Sequence, residues 1–144
     1  TNLRDILDAV ITLFQERKDV RLQFETTITN ATIFADKNQY ISVFNNLVKN
    51  AIQATDENQD KIITVRLKQE DNFYQIRIED NGVGIPENMH HKVFVPNFTT
   101  KSYGTGLGLA ISKNIIENSG GNIWFESIEG ESTTFYVLIP HYKL

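Results

Sequence analysis

Apolar residues follow two different periodicities along this chain, and the way these alternate constrains the fold. Helical spacing occurs in three segments, near residues 3–14, 36–55 and 107–118, where apolar side chains recur every three or four positions. Strand-like alternation occurs in five shorter segments, near residues 20–24, 63–67, 74–78, 122–127 and 133–140. Helices interleaved with strand hairpins favour a two-layer α/β sandwich, in which helices cover one face of a mixed sheet.

Length and charge limit what the chain can do. Its 144 residues suit one globular domain with a single core. A net charge of −4 argues against nucleic acid as a partner, because proteins that bind a phosphate backbone need a basic surface. The absence of cysteine agrees with a reducing cytoplasm, where we expect this soluble chain to be located. Because it begins at Thr1, we expect a fragment of a longer protein, and whether that parent is anchored in the inner membrane stays open.

Four polar stretches lie close together in the sequence, at residues 46–51, 80–86, 97–101 and 104–109. Each alone is compatible with ordinary helix or turn chemistry. Together they contain amide oxygens suited to a metal, a carboxylate suited to a nucleobase and glycines suited to phosphates. Much of this set falls in a loop with little periodicity, residues 82–105, and long loops in compact domains are often functional. The stretches therefore predict a binder of magnesium and a purine nucleotide.

Asn46 and Asn50 lie on one border of the apolar face of the second predicted helix, with Asn50 nearer to that face. A rotation of roughly 100° per residue places Asn45, Lys49 and Gln53 on the solvent side. A half-buried asparagine needs a hydrogen-bonding partner, because an unpaired buried amide costs about 1–3 kcal/mol. These asparagines are therefore either caps and loop-fastening residues or neutral oxygen ligands for Mg²⁺, which needs few protein oxygens.

A carboxylate replaces an apolar residue at the end of the third predicted strand. Tyr74 and Ile78 share one strand face with Asp80, because side chains alternate. A charge on a buried face is costly unless it is paired. Asp80 therefore either starts a turn or accepts a hydrogen bond from the exocyclic amine of adenine. In the second interpretation, Gly82 and Gly84 let the backbone lie against the ring.

Glycines at positions 104, 106 and 108 open the third predicted helix. The free N–H groups and the positive dipole end of a helix N-terminus attract phosphate. The spacing differs from the dinucleotide motif G-x-G-x-x-G, and the G-K-[ST] ending of the P-loop is absent. Lys101 lies three residues upstream of Gly104. It is either a solvated lysine or a cation that neutralises the negative charge of a triphosphate.

The order of the four stretches resembles that of the N, G1, F and G2 boxes of sensor histidine kinases. The matching residues are Asn46-Leu47-x-x-Asn50-Ala51, Asp80-x-Gly82-x-Gly84-Ile85, Phe94 through Phe98-Thr99-Thr100-Lys101, and Gly104-x-Gly106-x-Gly108-Leu109. The resemblance covers nearly the whole chain. The F-box sequence, with Thr99-Thr100-Lys101, is most similar to that of nitrogen-regulation-type kinases. The resemblance implies the Bergerat fold of the GHKL superfamily, with ATP and Mg²⁺ bound.

The resemblance also implies roles for individual residues. Asn50 would hold the metal and act in catalysis with Lys101, Asp80 would bind adenine, and residues 88–105 would form a lid. The implied nucleotide-binding residues are Asn46, Asn50, Asp80, Gly82, Gly84, Ile85, Phe98, Thr99, Thr100, Lys101, Gly104, Thr105, Gly106, Leu107, Gly108, Leu109 and Thr134.

Asn46 helps to distinguish among the activities that are found in this superfamily. The ATPases and serine kinases of the superfamily need a general base, a glutamate four residues before the metal-binding asparagine. Asn46 occupies that position and cannot accept a proton. A neutral histidine has a nitrogen lone pair available, so the resemblance implies transfer of the γ-phosphate of ATP to a histidine.

The acceptor histidine is expected on another domain. His90, His91 and His141 lack both an acidic helical context and metal-ligand spacing, and we interpret them as surface residues. We expect a monomeric donor domain, a homodimeric parent that carries the phosphoacceptor domain, and a response regulator downstream. Two alternatives stay open: a nucleotide-binding interaction module without transfer activity, since Asn97 stands where an aromatic residue often precedes Phe98, and a GHKL ATPase.

Overall fold

The computed structural model describes residues 1–55, 59–96 and 108–142. These residues form three α-helices, five β-strands and one 3₁₀-helix. The helices are α1 (Leu3–Gln15), α2 (Lys37–Gln53) and α3 (Gly108–Asn118). The strands are β1 (Val20–Thr26), β2 (Lys61–Glu70), β3 (Phe73–Asp80), β4 (Asn122–Ile128) and β5 (Ser132–Pro140). The predicted helices and strands are all found near their expected positions.

The strands form one five-stranded mixed sheet in the order β1-β2-β3-β5-β4. β1 is parallel to β2, and the other neighbouring pairs are antiparallel. The parallel pair requires a crossover, which α2 provides. The hairpins turn at Asp71 and Gly130, whose φ angles of 54° and 82° lie in the left-handed region. The mixed sheet and both predicted turns are confirmed.

The sheet has one buried and one solvent-facing side. Strand residues such as Ile63, Ile76 and Val137 belong to the core together with the buried residues of α1 and α2. The opposite face carries ion pairs and the stacked rings of Trp124 and Tyr136, whose centroids are 5.2 Å apart. The predicted two-layer α/β sandwich is therefore confirmed. Within the described part of the chain, no helix is long and apolar enough to cross a membrane.

Polar residues set the ends of the helices that border the candidate site. The Asp36 side chain accepts a hydrogen bond from the backbone N–H of Gln39 at 3.1 Å and begins α2, as its sequence predicts. Gly120 adopts a φ of 82°, and the N–H of Gly121 donates to the carbonyl of Ile116 at 3.0 Å. This glycine pair ends α3 in the predicted way.

Two features differ from the sequence predictions. A 3₁₀-helix, Glu87–Lys92, interrupts the predicted loop directly after Pro86. Asn45, predicted to face solvent, is half-buried, and its Oδ1 is buried without a hydrogen-bond partner among the described residues. The reason is that Asn45 lies one turn from Val48 and two turns from Ile52, which are both buried. The apolar face of α2 is wider than its sequence pattern indicates.

Candidate nucleotide-binding site

Helix α2 and its C-cap residue Ala54 make the contacts that assemble the candidate site. The Asn46 side chain packs against Gly108 at the start of α3, so closely that a Cβ added at Gly108 would collide with it. Ala54 meets the loop after β3, because a Cβ added at Gly82 would lie 2.5 Å from the Ala54 carbonyl oxygen. Asn50 lies between them, one turn before Ala54. These contacts are thus spread over about 12 Å of helix, at 1.5 Å per residue.

The amide groups of α2 are only partly satisfied. Nδ2 of Asn46 is buried and has no hydrogen-bond partner among the residues that the structure describes. Asn50 is half-buried, and in the described ranges its side chain makes no hydrogen bond. Among the described residues, no hydrogen bond supports the interpretation of Asn46 and Asn50 as loop-fastening side chains.

The side-chain amide oxygen of Asn50 is of the donor type that Mg²⁺ binds. No cluster of three or more His, Cys, Asp or Glu side chains occurs in the described residues. A metal held by Asn50 would therefore depend on a neutral amide oxygen, phosphate oxygens and water. Mg²⁺ keeps most of its waters and is commonly bound in this way.

Asp80 is the last residue of β3 and is only 3% exposed. Its side chain shares the buried face of β3 with Ile76 and Ile78, as the strand alternation predicts. Its Oδ1 accepts a hydrogen bond from the N–H of Gly82 at 2.8 Å. The turn-forming interpretation of Asp80 is therefore confirmed, and the same residue places a carboxylate on the helix-covered face.

The loop after Asp80 passes between α2 and the β4–β5 turn. Val83 donates its N–H to the Ala54 carbonyl at 2.9 Å and accepts from the N–H of Gly130 at 2.6 Å. Gly84 has a φ of 73°, and a Cβ there would collide with the backbone of Ile128. In this structure, Gly82 and Gly84 are required by close contacts within the protein, and their predicted approach to a purine ring stays a prediction.

Two side chains that sequence reasoning did not assign to the site hold Ile85. Oγ of Ser127 accepts from the Ile85 N–H at 2.7 Å, and Nε2 of His90 lies 2.8 Å from the Ile85 carbonyl oxygen. His90 is thus half-buried and is not the surface residue that its sequence context indicates. A signal for Ser127 exists in the sequence, because a hydroxyl follows Ile123 and Phe125 on the inward face of β4.

Thr134 lies in β5 beside β3, and its assignment to the site stays a prediction. Thr134 pairs with Glu79, whereas its neighbour Thr133 pairs with Asp80. Because side chains alternate, Thr133 shares the buried face with Asp80, and Thr134 lies on the opposite face. Thr133 is 2% exposed, and its Oγ1 is 2.8 Å from Oγ of Ser127.

Of the remaining predicted residues, Leu109 is half-buried and packs against the core near the start of α3. The others lie outside the described residues, and their roles stay predictions. They are Phe98, Thr99, Thr100, Lys101, Gly104, Thr105, Gly106 and Leu107.

Comparison with known proteins shows the family to which this chain belongs. Residues 35–143 match the family of histidine kinase-, DNA gyrase B- and HSP90-like ATPases. Sporulation kinase E of Bacillus subtilis is 33% identical over 138 residues, which are 96% of this chain and 18% of that kinase. Sensor histidine kinase ZraS of Escherichia coli is 38% identical over 123 residues, which are 85% of this chain and 26% of that kinase. The chain therefore spans about a fifth to a quarter of the length of these curated relatives.

A solved structure covers the same unit. The nucleotide-free catalytic domain of histidine kinase ThkA aligns at 36% identity with a TM-score of 0.87, over 98% of this chain and 93% of that domain. This agreement confirms the predicted family and, with it, ATP as the nucleotide. The chain belongs to the histidine kinase-, DNA gyrase B- and HSP90-like ATPases, and within them to the catalytic domains of sensor histidine kinases.

Proposed function

We propose that this domain binds ATP with Mg²⁺ and donates the γ-phosphate to a histidine on a separate dimerisation domain. The observation that carries the proposal is the composition of α2, which presents Asn46 where it meets α3, carries Asn50 one turn later and contains no acidic residue. Hydrolysis of ATP, or phosphorylation of a hydroxyl, needs a general base to accept a proton. A neutral histidine nitrogen already offers a lone pair, so a donor domain without such a base is sufficient.

The order of contacts along α2 supports a division of roles. Asn46 meets Gly108 at the N-terminus of α3, where backbone N–H groups attract phosphate. Asp80, next to the loop that meets Ala54, is suited to accept a hydrogen bond from the exocyclic amine of adenine. Asn50 lies between these ends and would hold Mg²⁺, which supplies charge neutralisation for the phosphates when bound. The domain would then act mainly by orienting ATP for in-line attack.

The proposed partners follow from the related kinases. ThkA has also been solved in complex with the response regulator protein TrrA. We infer that the parent of this domain engages a response regulator and forms a homodimer through its dimerisation domain. The narrower resemblance to nitrogen-regulation-type kinases stays a prediction, because the relatives compared above carry other names.

The test is transfer from γ-labelled ATP to the histidine-bearing dimerisation domain of the parent protein, added as a separate polypeptide with Mg²⁺. We expect acid-labile label on that domain and none when its histidine is replaced by glutamine. ATP binding without any transfer would instead support the interaction module. Steady release of phosphate by the chain alone would support an ATPase, and either result would contradict the proposal.

A further inference from the structure

The backbone of Ile85 is held from two directions by side chains that lie outside the predicted motifs. Its N–H donates to Oγ of Ser127 at 2.7 Å, and its carbonyl oxygen is 2.8 Å from Nε2 of His90. Ser127 belongs to β4, and His90 belongs to the 3₁₀-helix, so two separate elements meet at one residue. Ile85 ends the loop that begins at Asp80.

The hydroxyl of Ser127 has its full set of hydrogen bonds. Its oxygen is 3.0 Å from the carbonyl oxygen of Ser132 and 2.8 Å from Oγ1 of Thr133, in addition to its contact with Ile85. A hydroxyl has one hydrogen and two lone pairs. The hydrogen goes to Ser132, whose carbonyl can only accept, and the lone pairs accept from Ile85 and Thr133. Thr133 in turn is the register partner of Asp80, so this hydroxyl connects the loop after Asp80 to the strand beside it.

The imidazole of His90 is held in place by its own packing. Its ring meets the edge of Phe125 with centroids 5.0 Å apart and an interplanar angle of 74°. Phe125 in turn packs against Phe94 and Phe135. Because the Ile85 carbonyl can only accept, Nε2 must carry a hydrogen, and this holds for the Nε2–H tautomer and for the imidazolium alike.

We propose that Ser127 and His90 are positioning residues that hold Ile85 and thereby set the nucleotide affinity of the loop that carries Asp80. The inference rests on the proposed function. The earlier part of this loop is held through Asn81, Gly82 and Val83, so Ser127 and His90 control its far end. A loop that is already ordered loses less conformational freedom when ligand binds, so releasing Ile85 should weaken binding without removing any contact to the ligand.

The experiment is calorimetric titration of the whole chain with ADP, together with thermal unfolding of each variant. Ser127→Ala removes the acceptor for Ile85, and His90→Phe removes the donor but keeps a ring against Phe125. We expect each variant to raise the Kd for ADP about fivefold, the loss typical of one hydrogen bond. The double variant should raise the Kd by less than the product of the two, because both side chains act on one residue.

Two matched controls separate positioning from general disruption. Ser132→Ala makes the same chemical change in the same hairpin, but only the backbone carbonyl of Ser132 takes part in the network, so its Kd should equal that of the wild type. His90→Gln keeps an N–H donor but loses the ring, and should restore the Kd to within about twofold of the wild type.

A role in folding alone would lower the melting temperature and the bound stoichiometry and leave the Kd of the folded fraction unchanged, which would overturn the inference. Equal Kd values for Ser127→Ala, His90→Phe and the wild type would overturn it as well. These results differ from failure of the proposed function, in which the wild-type chain would either bind no ADP or bind ATP without transferring its γ-phosphate to the dimerisation domain.

Discussion

The two ends of the candidate site differ in how their polar groups are satisfied. Residues 80–85, which are predicted to bind the nucleobase, form what we call the base end. Their backbone groups are hydrogen-bonded to the C-terminal end of α2, to the β4–β5 turn and to Ser127. At the amide end, formed by Asn46 and Asn50, the buried Nδ2 of Asn46 and the Asn50 side chain make no hydrogen bond to any described residue. Pre-bonded loops are ordered in advance, whereas unpaired polar groups cost free energy until a ligand pairs them. The comparison indicates a preformed base end and an amide end that the ligand completes.

The largest expected effect is the loss of unfolding free energy when Gly84, in the base end, is replaced. Gly84→Ala combines a φ of 73° with a collision against the Ile128 backbone, and should cost about 3 kcal/mol or more of unfolding free energy. Gly130→Ala is the matched control, because Gly130 has a φ of 82° with no atom within 4 Å and should cost only about 1–2 kcal/mol. Urea unfolding measures both variants. Equal losses would show that the loop does not press against the β4–β5 turn.

The next-largest expected effect is on ADP affinity and tests whether the base end binds the nucleotide. Asp80→Asn should weaken ADP binding about tenfold or more, with and without Mg²⁺, because hydrogen bonds to charged groups contribute about 1.5–3 kcal/mol. Glu79→Gln makes the same change one residue away, on the opposite sheet face where Glu79 pairs with Arg66, and should leave the affinity unchanged. Calorimetry with each variant decides the matter. If Asp80→Asn weakened ADP binding only in the presence of Mg²⁺, the Asp80 carboxylate would be assigned to metal binding and not to adenine.

The amide end predicts a loss that depends on the metal. Asn50→Ala should weaken ADP binding about tenfold in the presence of Mg²⁺, in the range usual for damage to a metal site, and hardly at all with EDTA. Stability should change little, because no described hydrogen bond is lost. Asn45→Ala, on the same helix, serves as the matched control in the same titration. A metal-independent loss for Asn50→Ala would contradict its assignment as a ligand.

The smallest effect concerns an unpaired group that lies outside the candidate site. The Tyr40 hydroxyl is buried without a hydrogen-bond partner among the described residues, so Tyr40→Phe should change the unfolding free energy by no more than about 1 kcal/mol near neutral pH. ADP affinity should not change. A large loss of ADP affinity would show that unpaired groups along α2 do not distinguish the site from its surroundings.

Tyr40 also predicts a pH dependence. Burial raises the pKa of Tyr40 above its ordinary value of 10.0. The neutral form is therefore favoured in the folded state, and its contribution is fully present below pH 10 and lost as the pH rises towards the folded pKa. Urea unfolding on both sides of pH 10 should show a smaller alkaline loss of stability in Tyr40→Phe than in the wild type. Equal losses would contradict this role for Tyr40.

Much of the fold was predictable from local patterns. Periodicity found the helices and strands because burial selects apolar side chains at the spacing of each element. Strand alternation by itself also assigned Asp80 to the buried face of β3. The same alternation separates Thr133, which shares a face with Phe135 and Val137, from Thr134. That Thr133 lies opposite Asp80 depends on the register with β3, which the sequence pattern does not fix.

His90 and Ser127 show a different limit. Ser127 meets Ile85 across 42 positions of sequence, and this contact exists only once β4 lies beside the loop. His90 is closer in sequence, but the 3₁₀-helix that aims its ring falls in a segment without periodicity. Local sequence carries no information on such pairings, because they depend on how separate elements pack.

The residue pattern alone established the elements, the mixed sheet, the family motifs and the absence of an acidic residue from α2, because propensity, periodicity and residue chemistry act over a few positions. The tertiary structure decided which glycines serve close backbone contacts, which threonine faces Asp80 and which side chains hold Ile85. These depend on hydrogen bonds and van der Waals contacts between elements far apart in sequence, and such contacts are set only when the layers pack.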